Sequence, residues 1–291
     1  MPRFLFQKQI WQEIGYAEIA QVLRDLGIHY AEASIIPFTD HLDPEPEEAP
    51  DHVFGSGRLV DIARSRGWRT FASFAPVEDC YPPEAWLNGD GRRVLAGDLG
   101  AELADRPEAF VKPFREKLFT GGVLRREDFR AKGLDGCFQI GSTGDLGTEP
   151  LWVAAPKRVA SEQRFFVVDG IVVTGSRYRF GGQVAYGDPD PAARDWLREL
   201  IAACGAPDIC FTADVAVTLD GSHRLVELNN VNSAGFYACD KRARLSARCW
   251  RPGEMARSPD RKWRGGRATE RDRSSVVRRL SCRMPMRMRS Q

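Results

Sequence analysis

Apolar positions change period along the chain. Ile19, Val22, Leu23 and Leu26 recur at helical spacing and stop at Gly27, a residue suited to the left-handed end of a helix. HYAEASIIPF (29–38) reads as a strand, and DHLDPEPEEAPD (40–51) as an acidic, Pro-rich loop. VFGSGRLVDIARSRGWRTFASF (53–74) reads as strand, glycine turn, helix and strand. These elements predict a small α/β unit over 1–99.

Further on, EAFVKPFREKLFTGGV (108–123) predicts a strand and a Gly-rich loop. EQRFFVVDGIVVTGSRYR (162–179) predicts a hairpin turning at Asp169-Gly170. DPDPAARDWLRELIAACG (188–205) predicts a helix with Asp190 as N-cap, Pro191 at its first position and Gly205 at its end. Trp196, Leu197, Leu200 and Ile201 form its buried stripe. FTADVAVTLDGSHRLVELNN (211–230) predicts a second hairpin, turning at or near Asp220-Gly221. Two hairpins around one helix, without a βαβ rhythm, predict an α+β domain over 100–240.

Period-two alternation assigns the hairpin faces. A two-residue turn at Asp220-Gly221 sets Asp214 opposite Glu227; a four-residue loop sets it opposite Asn229. Either register puts Asp214, Glu227 and Asn229 on one face, and Val215, Val217, Leu219, Val226 and Leu228 on the other. Two carboxylates that close repel. The face is open to water, or holds a cation side chain, or holds a hard metal ion; oxygen ligands of this kind suit Mg2+. In the first hairpin, Val168 faces Ile171 and Glu162 faces Arg177, so Glu162, Arg164, Arg177 and Arg179 share a face. Three guanidiniums around one carboxylate suit a phosphate, although each alone also fits a cross-strand ion pair. Lys112 lies in an apolar strand, and Lys117 precedes a Gly-rich loop whose backbone suits phosphate. There is no Walker A sequence. FGSGR (54–58) reads as an anion-binding turn or as a plain tight connection.

Composition adds a division. The chain has 291 residues and a net charge of +2. Residues 241–291 carry fifteen Arg and two Lys against four acidic residues, a net +13, whereas 1–240 has 25 basic and 36 acidic residues, a net −11. The basic segment has few aliphatic residues and predicts disorder. It reads as a solvated tail, as sequence outside the ancestral reading frame, or as a nucleic-acid contact made by phosphate neutralisation. Seven scattered cysteines without a Cys-x-x-Cys pair, and no apolar run of membrane-spanning length, predict a cytoplasmic protein with no disulfide framework and no membrane contact.

The order Lys112, Lys117, Glu162-x-Arg164, Arg177, Asp214, Glu227-x-Asn229 resembles the ATP-grasp superfamily, and within it the clade named for two arginines and a lysine, family 3 type. The phrases that carry it are VFGSG, FVKPFREKLFTGG, EQRFFVVDGIVVTGSRYR and VELNNVNSAGFY, over roughly 54–240. The resemblance implies an ATP-grasp fold, two α+β lobes clasping ATP, behind a small α/β pre-grasp unit. It implies that Lys112 and Lys117 contact the phosphates, and that PLWVAAP (150–156) is a linker whose backbone meets adenine at Trp152, Val153 and Ala154. Glu162 would reach the ribose or orient Arg164. Arg164 and Arg177 would hold γ-phosphate or a substrate carboxylate. Asp214, Glu227 and Asn229 would ligate Mg2+, and Asn232 would close over phosphates or substrate. The implied activity is an ATP- and Mg2+-dependent carboxylate–amine or thiol ligase acting through an acyl phosphate on a small carboxylate or a peptide. The loop over 134–147 and the N-terminal unit would recognise that substrate. The alternatives are an ATP-grasp phosphotransferase, and a non-catalytic module that binds nucleotide or nucleic acid.

Overall fold

The computed structural model describes residues 3–10, 16–71, 80–115, 118–138, 140 and 146–245. The chain forms two compact units, one made of Met1–Phe74 with Val159–Gln291, the other of Ala75–Arg158.

The first unit opens with β1 (Arg3–Gln7), α1 (Tyr16–Asp25), β2 (His29–Ile35), β3 (Leu42–Asp43), β4 (His52–Phe54) and α2 (Gly57–Ser65). The sheet order is β3-β2-β1-β4. β1 is parallel to both β2 and β4, so the chain moves to one side of β1 and then returns to the other. Ile19 and Leu23 of α1 are buried as the periodicity requires. The strand expected after α2 does not form over 68–71, and 72–74 lie outside the described residues.

The second unit holds β5 (Arg92–Leu95), α3 (Leu99–Glu102), β6 (Glu108–Pro113), β7 (Gly122–Arg125), α4 (Arg126–Phe138) and β8 (Pro150–Ala154). Its antiparallel sheet has the order β5-β8-β6-β7. The boundary expected at Leu99 falls inside this unit, because β5 pairs along β8. α4 was not legible in the sequence; it breaks at Gly133, where φ is 69°. It occupies the start of the segment read as a recognition loop, of which 139 and 141–145 lie outside the described residues.

The chain then returns to the first unit through β9 (Val159–Val168), β10 (Ile171–Phe180), β11 (Gln183–Gly187), α5 (Pro191–Cys204), β12 (Cys210–Thr218), β13 (His223–Asn229) and the short α6 (Lys241–Leu245). The five strands form one antiparallel sheet, β11-β10-β9-β12-β13. Phe166, Val168, Cys210, Val231 and Phe236 share a core with Phe4, Phe6, Ile19, Leu23 and Phe54. The other face carries α5, which lies against β10 and β12. Trp196, Leu197, Leu200 and Ile201 are all buried, as expected, and the Asp190 carboxylate accepts from Ala192 N at 2.9 Å.

The basic segment expected from 241 begins in an ordered helix. The Ala243 amide donates to Asp240 Oδ1 at 3.0 Å, and Lys241 Nζ meets Glu18 Oε2 of α1 at 2.6 Å. Residues 246–291 lie outside the described residues. The five described cysteines form no disulfide. Among the described residues no helix is long and apolar enough to cross a membrane.

His223 at the start of β13 is buried beside α5, with its ring 6.1 Å from Trp196 and its Nε2 4.0 Å from Asp190 Oδ2. Burial lowers its pKa; Asp190 opposes the shift and Arg224 adds to it. A histidine depressed in the folded state contributes stability above its unfolded pKa of about 6.5 and loses it as pH falls. NMR titration of the His223 ring should give a midpoint below that of an exposed histidine. A His223→Leu variant should lose the part of the acid-side fall in melting temperature that this ring causes.

Candidate functional site

The first hairpin turns where the sequence indicates, with Val168 facing Ile171, but two β-bulges follow. The register shifts between Val172 and Thr174 and again between Arg177 and Arg179. Glu162 therefore faces Arg179, and Arg177 faces Gln163. The expected Glu162–Arg177 pairing does not form, because each bulge moves the following residues by one place. Gln163 sends its side chain to the Asp190 amide at the start of α5, so Arg177 lies on the α5 face, away from Glu162 and Arg164. Its guanidinium sits 5.3 Å from the Phe180 ring centroid. The second bulge instead brings Tyr178 to the Glu162 face.

The second hairpin reaches its expected register by an unexpected route. Its turn is three residues long, with Thr218 N donating to Ser222 O at 2.9 Å and Val217 facing His223. A bulge at Val226 then restores the register, so Val215 faces Leu225 and Asp214 faces Glu227. Leu225, rather than Val226, takes the core position, and Leu219 is exposed in the turn.

Arg164, Asp214 and Glu227 thus stand in a row on three adjacent strands. Arg164 Nε and Nη2 donate to Asp214 Oδ1 and Oδ2, both at 2.8 Å. Arg164 is 8% exposed and Asp214 1%. Glu227 Oε1 lies 3.7 Å from Arg164 Nη2 and accepts from Asn229 Nδ2 at 2.8 Å. The Tyr178 hydroxyl lies 2.7 Å from Glu162 Oε2 and 3.3 Å from Asp214 Oδ2. Arg179 Nη1 donates to Glu162 Oε1 at 3.0 Å. Burial pushes the Asp214 carboxyl up to about 6 against the pull of Arg164, and Glu227 adds to the rise. Burial works against the charge on Arg164, but Asp214 outweighs it and raises the guanidinium pKa. Burial beside Asp214 and Glu162 raises the Tyr178 hydroxyl pKa.

Three tyrosines brace this row. The Tyr237 ring stacks on Tyr178 at 5.1 Å and on Tyr186 at 5.6 Å. Arg164 Cζ lies 5.1 Å from the Tyr237 centroid and 5.9 Å from that of Tyr178. A tyrosine face attracts a guanidinium. Tyr237 holds this position with φ 49°, uncommon for a residue with a side chain. None of the three was picked out from the sequence. The available signal was Gly175, a glycine inside a strand, which often marks a bulge.

Other expected site residues lie elsewhere. Lys112 is on β6, half-buried, facing Trp152 across the ladder. Lys117 lies outside the described residues. Trp152, Val153 and Ala154 are not a linker: they belong to β8, and Trp152 and Val153 have strands on both sides. Flanking strands occupy the backbone of Trp152 and Val153 on both sides, and Ala154 pairs on one side only, with Phe110. The Trp152 indole donates to Asn88 O at 2.9 Å and leaves no room at Gly91, where a Cβ would lie 2.2 Å from Nε1. Residues 155–158 follow β8, and Lys157 Nζ bonds Asp90 at 2.6 Å.

Asn232, expected to close over phosphates or substrate, is fully buried with its side chain bonded to backbone. Its Nδ2 donates to Val53 O at 2.8 Å, its Oδ1 accepts from Phe71 N at 2.9 Å, and its carbonyl accepts from Gly55 N at 2.9 Å. Each of these groups ties the loop after β13 to the N-terminal part of the same unit.

The expected metal ligands come together only in part. Among the described residues, no group of three or more His, Cys, Asp or Glu side chains is arranged to hold a metal ion. Arg164 takes both oxygens of Asp214. Glu227 and Asn229 remain side by side, with hard oxygens of the kind Mg2+ prefers.

Comparison with known proteins agrees with this architecture. Residues 45–248 match the family model of the ATP-grasp domain, family 3 of the clade named for two arginines and a lysine, and the chain belongs to that family. The fold is similar to that of a RimK domain ATP-grasp protein from Sphaerobacter thermophilus DSM 20745, with TM-score 0.54 and 14% identity over 80% of this chain and 92% of that one. It is also similar to D-cycloserine synthetase DcsG, with TM-score 0.51 and 12% identity over 81% of this chain and 93% of that one. No curated protein matches the chain. ATP-grasp enzymes use ATP.

A buried charge left without its partner is costly. Arg164→Ala should therefore destabilise the protein by about 3–5 kcal/mol, measured by urea unfolding. The double change Arg164→Leu with Asp214→Leu should recover most of that loss.

Proposed function

We propose that the protein is an ATP- and Mg2+-dependent ligase that joins a carboxylate to an amine or thiol through an acyl phosphate. The observation that carries this reading is the row Arg164–Asp214–Glu227–Asn229, assembled within the region matched by the family model. In the first step, a substrate carboxylate oxygen bonds to the γ-phosphorus. The bond to the β–γ bridging oxygen breaks, and ADP leaves with that electron pair. In the second, the nitrogen or sulfur nucleophile bonds to the acyl carbon. Phosphate leaves with the bridging oxygen, and the nucleophile's proton passes to phosphate or solvent.

Such chemistry asks the protein for alignment and charge neutralisation. Arg164, held by Asp214 and two tyrosine rings, is a cation fixed before the reaction begins. Its Nη1 has no hydrogen-bond partner among the described residues and, in this reading, faces the transferring phosphoryl group or the substrate carboxylate. Glu227 and Asn229 would hold Mg2+, which supplies neutralisation of the phosphate oxygens when bound. Asp214 would act by orienting Arg164. Glu162 would serve the ribose or the same guanidinium row, and Lys112 and Lys117 the phosphates.

Thermal melting with and without Mg-ATP tests the reading. A ligand present at 100 times its dissociation constant adds about 2.7 kcal/mol. The native chain should show a Mg2+-dependent rise that Glu227→Gln abolishes; no rise in either would overturn the nucleotide assignment. ADP release that requires both an added carboxylate and an added amine or thiol would separate a ligase from a phosphotransferase.

A further inference from the structure

Two donors beside the Arg164 row are unspent, and the proposed mechanism uses only one of them. Arg164 commits Nε and Nη2 to Asp214, which leaves Nη1 without a hydrogen-bond partner among the described residues. The Tyr237 hydroxyl is the other. That of Tyr178 is taken by Glu162 and Asp214, whereas that of Tyr237 has no hydrogen-bond partner among the described residues. Neither unspent atom is sealed from solvent.

Gly235 shows that the two converge. A Cβ built there would lie 3.5 Å from Tyr237 Cζ, the carbon that bears the hydroxyl, and 3.8 Å from Arg164 Nη1. One methyl-sized position therefore touches both. These are ordinary contact distances, so the glycine relieves no clash; it keeps a gap open between the donors. The carboxylates of the row face other groups: Asp214 meets Nε and Nη2, and Glu227 Oε1 accepts from Asn229 and lies 3.7 Å from Nη2.

The loop that carries Tyr237 is fixed. Ser233 N donates to Asn230 Oδ1 at 3.0 Å, Ala238 N to Ser176 Oγ at 3.2 Å and Asp240 N to Thr174 Oγ1 at 3.0 Å. Tyr237 itself holds φ 49°, and strained backbone of this kind gathers at ligand-binding positions. Burial raises the pKa of its hydroxyl; Arg164 opposes the shift, and Asp214, Tyr186 and Glu227 add to it. The hydroxyl therefore keeps its proton at neutral pH and is able to donate it.

We propose that Tyr237 Oη and Arg164 Nη1 together seat one oxygen of the substrate oxyanion, a carboxylate or the transferring phosphoryl group, in the gap beside Gly235. Tyr237 is then a second contact to the reacting group, a neutral donor aligned beforehand next to a fixed cation. Its part in the reaction rests on the ligase reading; the seat itself does not.

The test is an NMR titration of the full chain with acetate and with inorganic phosphate, and with acetamide as the neutral control. Saturable shifts of the Arg164 side-chain N–H and Tyr237 ring Cζ signals are expected, and the tighter of the two anions assigns the group. Tyr237→Phe keeps the stacked ring and removes only the hydroxyl. It should weaken anion binding by about tenfold at an unchanged melting temperature. Gly235→Ala fills the gap and should weaken binding at least as much while the cooperative melt is retained. A tyrosine that merely packs gives unchanged affinity in Tyr237→Phe. That result, an equal response to acetamide, or no saturable shift with either anion would overturn the seat. Melting with Mg-ATP on the same samples separates the readings. A retained Mg-ATP rise without anion binding confines the failure to the seat, and anion binding without that rise confines it to the ligase reading.

Discussion

The buried ion pair between Arg164 and Asp214 is the constraint around which the second sheet of the first unit is arranged. Both side chains are almost fully withdrawn from water. Removing charges from water is costly unless geometry and extra hydrogen bonds compensate. The compensation is visible: a two-point contact, the one Tyr178 hydroxyl set between the Glu162 and Asp214 carboxylates, and tyrosine rings over the guanidinium. Three bulges, at Val173, Tyr178 and Val226, deliver those groups to one face. The strands are irregular where the polar row needs residues that a strict alternation would place elsewhere.

That irregularity decides what was legible. Elements with strong local signals formed as read: the Asp169-Gly170 turn, the Asp190 cap and the Trp196 stripe. Asp214 opposite Glu227 also formed, although its turn is one residue longer than the two-residue reading, with Val226 making up the difference. Arg177 was misplaced because counting back from a turn carries each unseen bulge into every later residue. α4 was missed because its two glycines and weak apolar stripe hide a helix that breaks in the middle. Segment 150–154 read as a linker because the strands on either side of it, β5 and β6, lie far from it in sequence.

The candidate site was legible in kind more than in detail. A run of polar residues in an apolar strand signals a face with work to do, and Arg164, Asp214, Glu227 and Asn229 do converge. Whether an oxygen in that row is open to a metal or spent on an arginine depends on distances, and residue types alone do not carry distances. Asn232 shows the same point: an asparagine beside a polar row looks like a ligand, yet its polar groups are consumed by backbone. The tyrosines escaped notice because aromatic residues are ordinary in strands.

The first unit is assembled from two stretches of chain, with the whole of Ala75–Arg158 between them. This bears on the order of events during synthesis. Phe4, Phe6 and Phe54 leave the ribosome well before Phe166 and Phe236, the partners that complete their core. At about 5–20 residues per second, that interval lasts from about 6 s to several tens of seconds. For that time an aromatic face is without its cover while the second unit, contiguous in sequence, is free to fold first. The joint that makes the mature unit continuous is therefore also its late step, closed when the loop bearing Asn232 arrives.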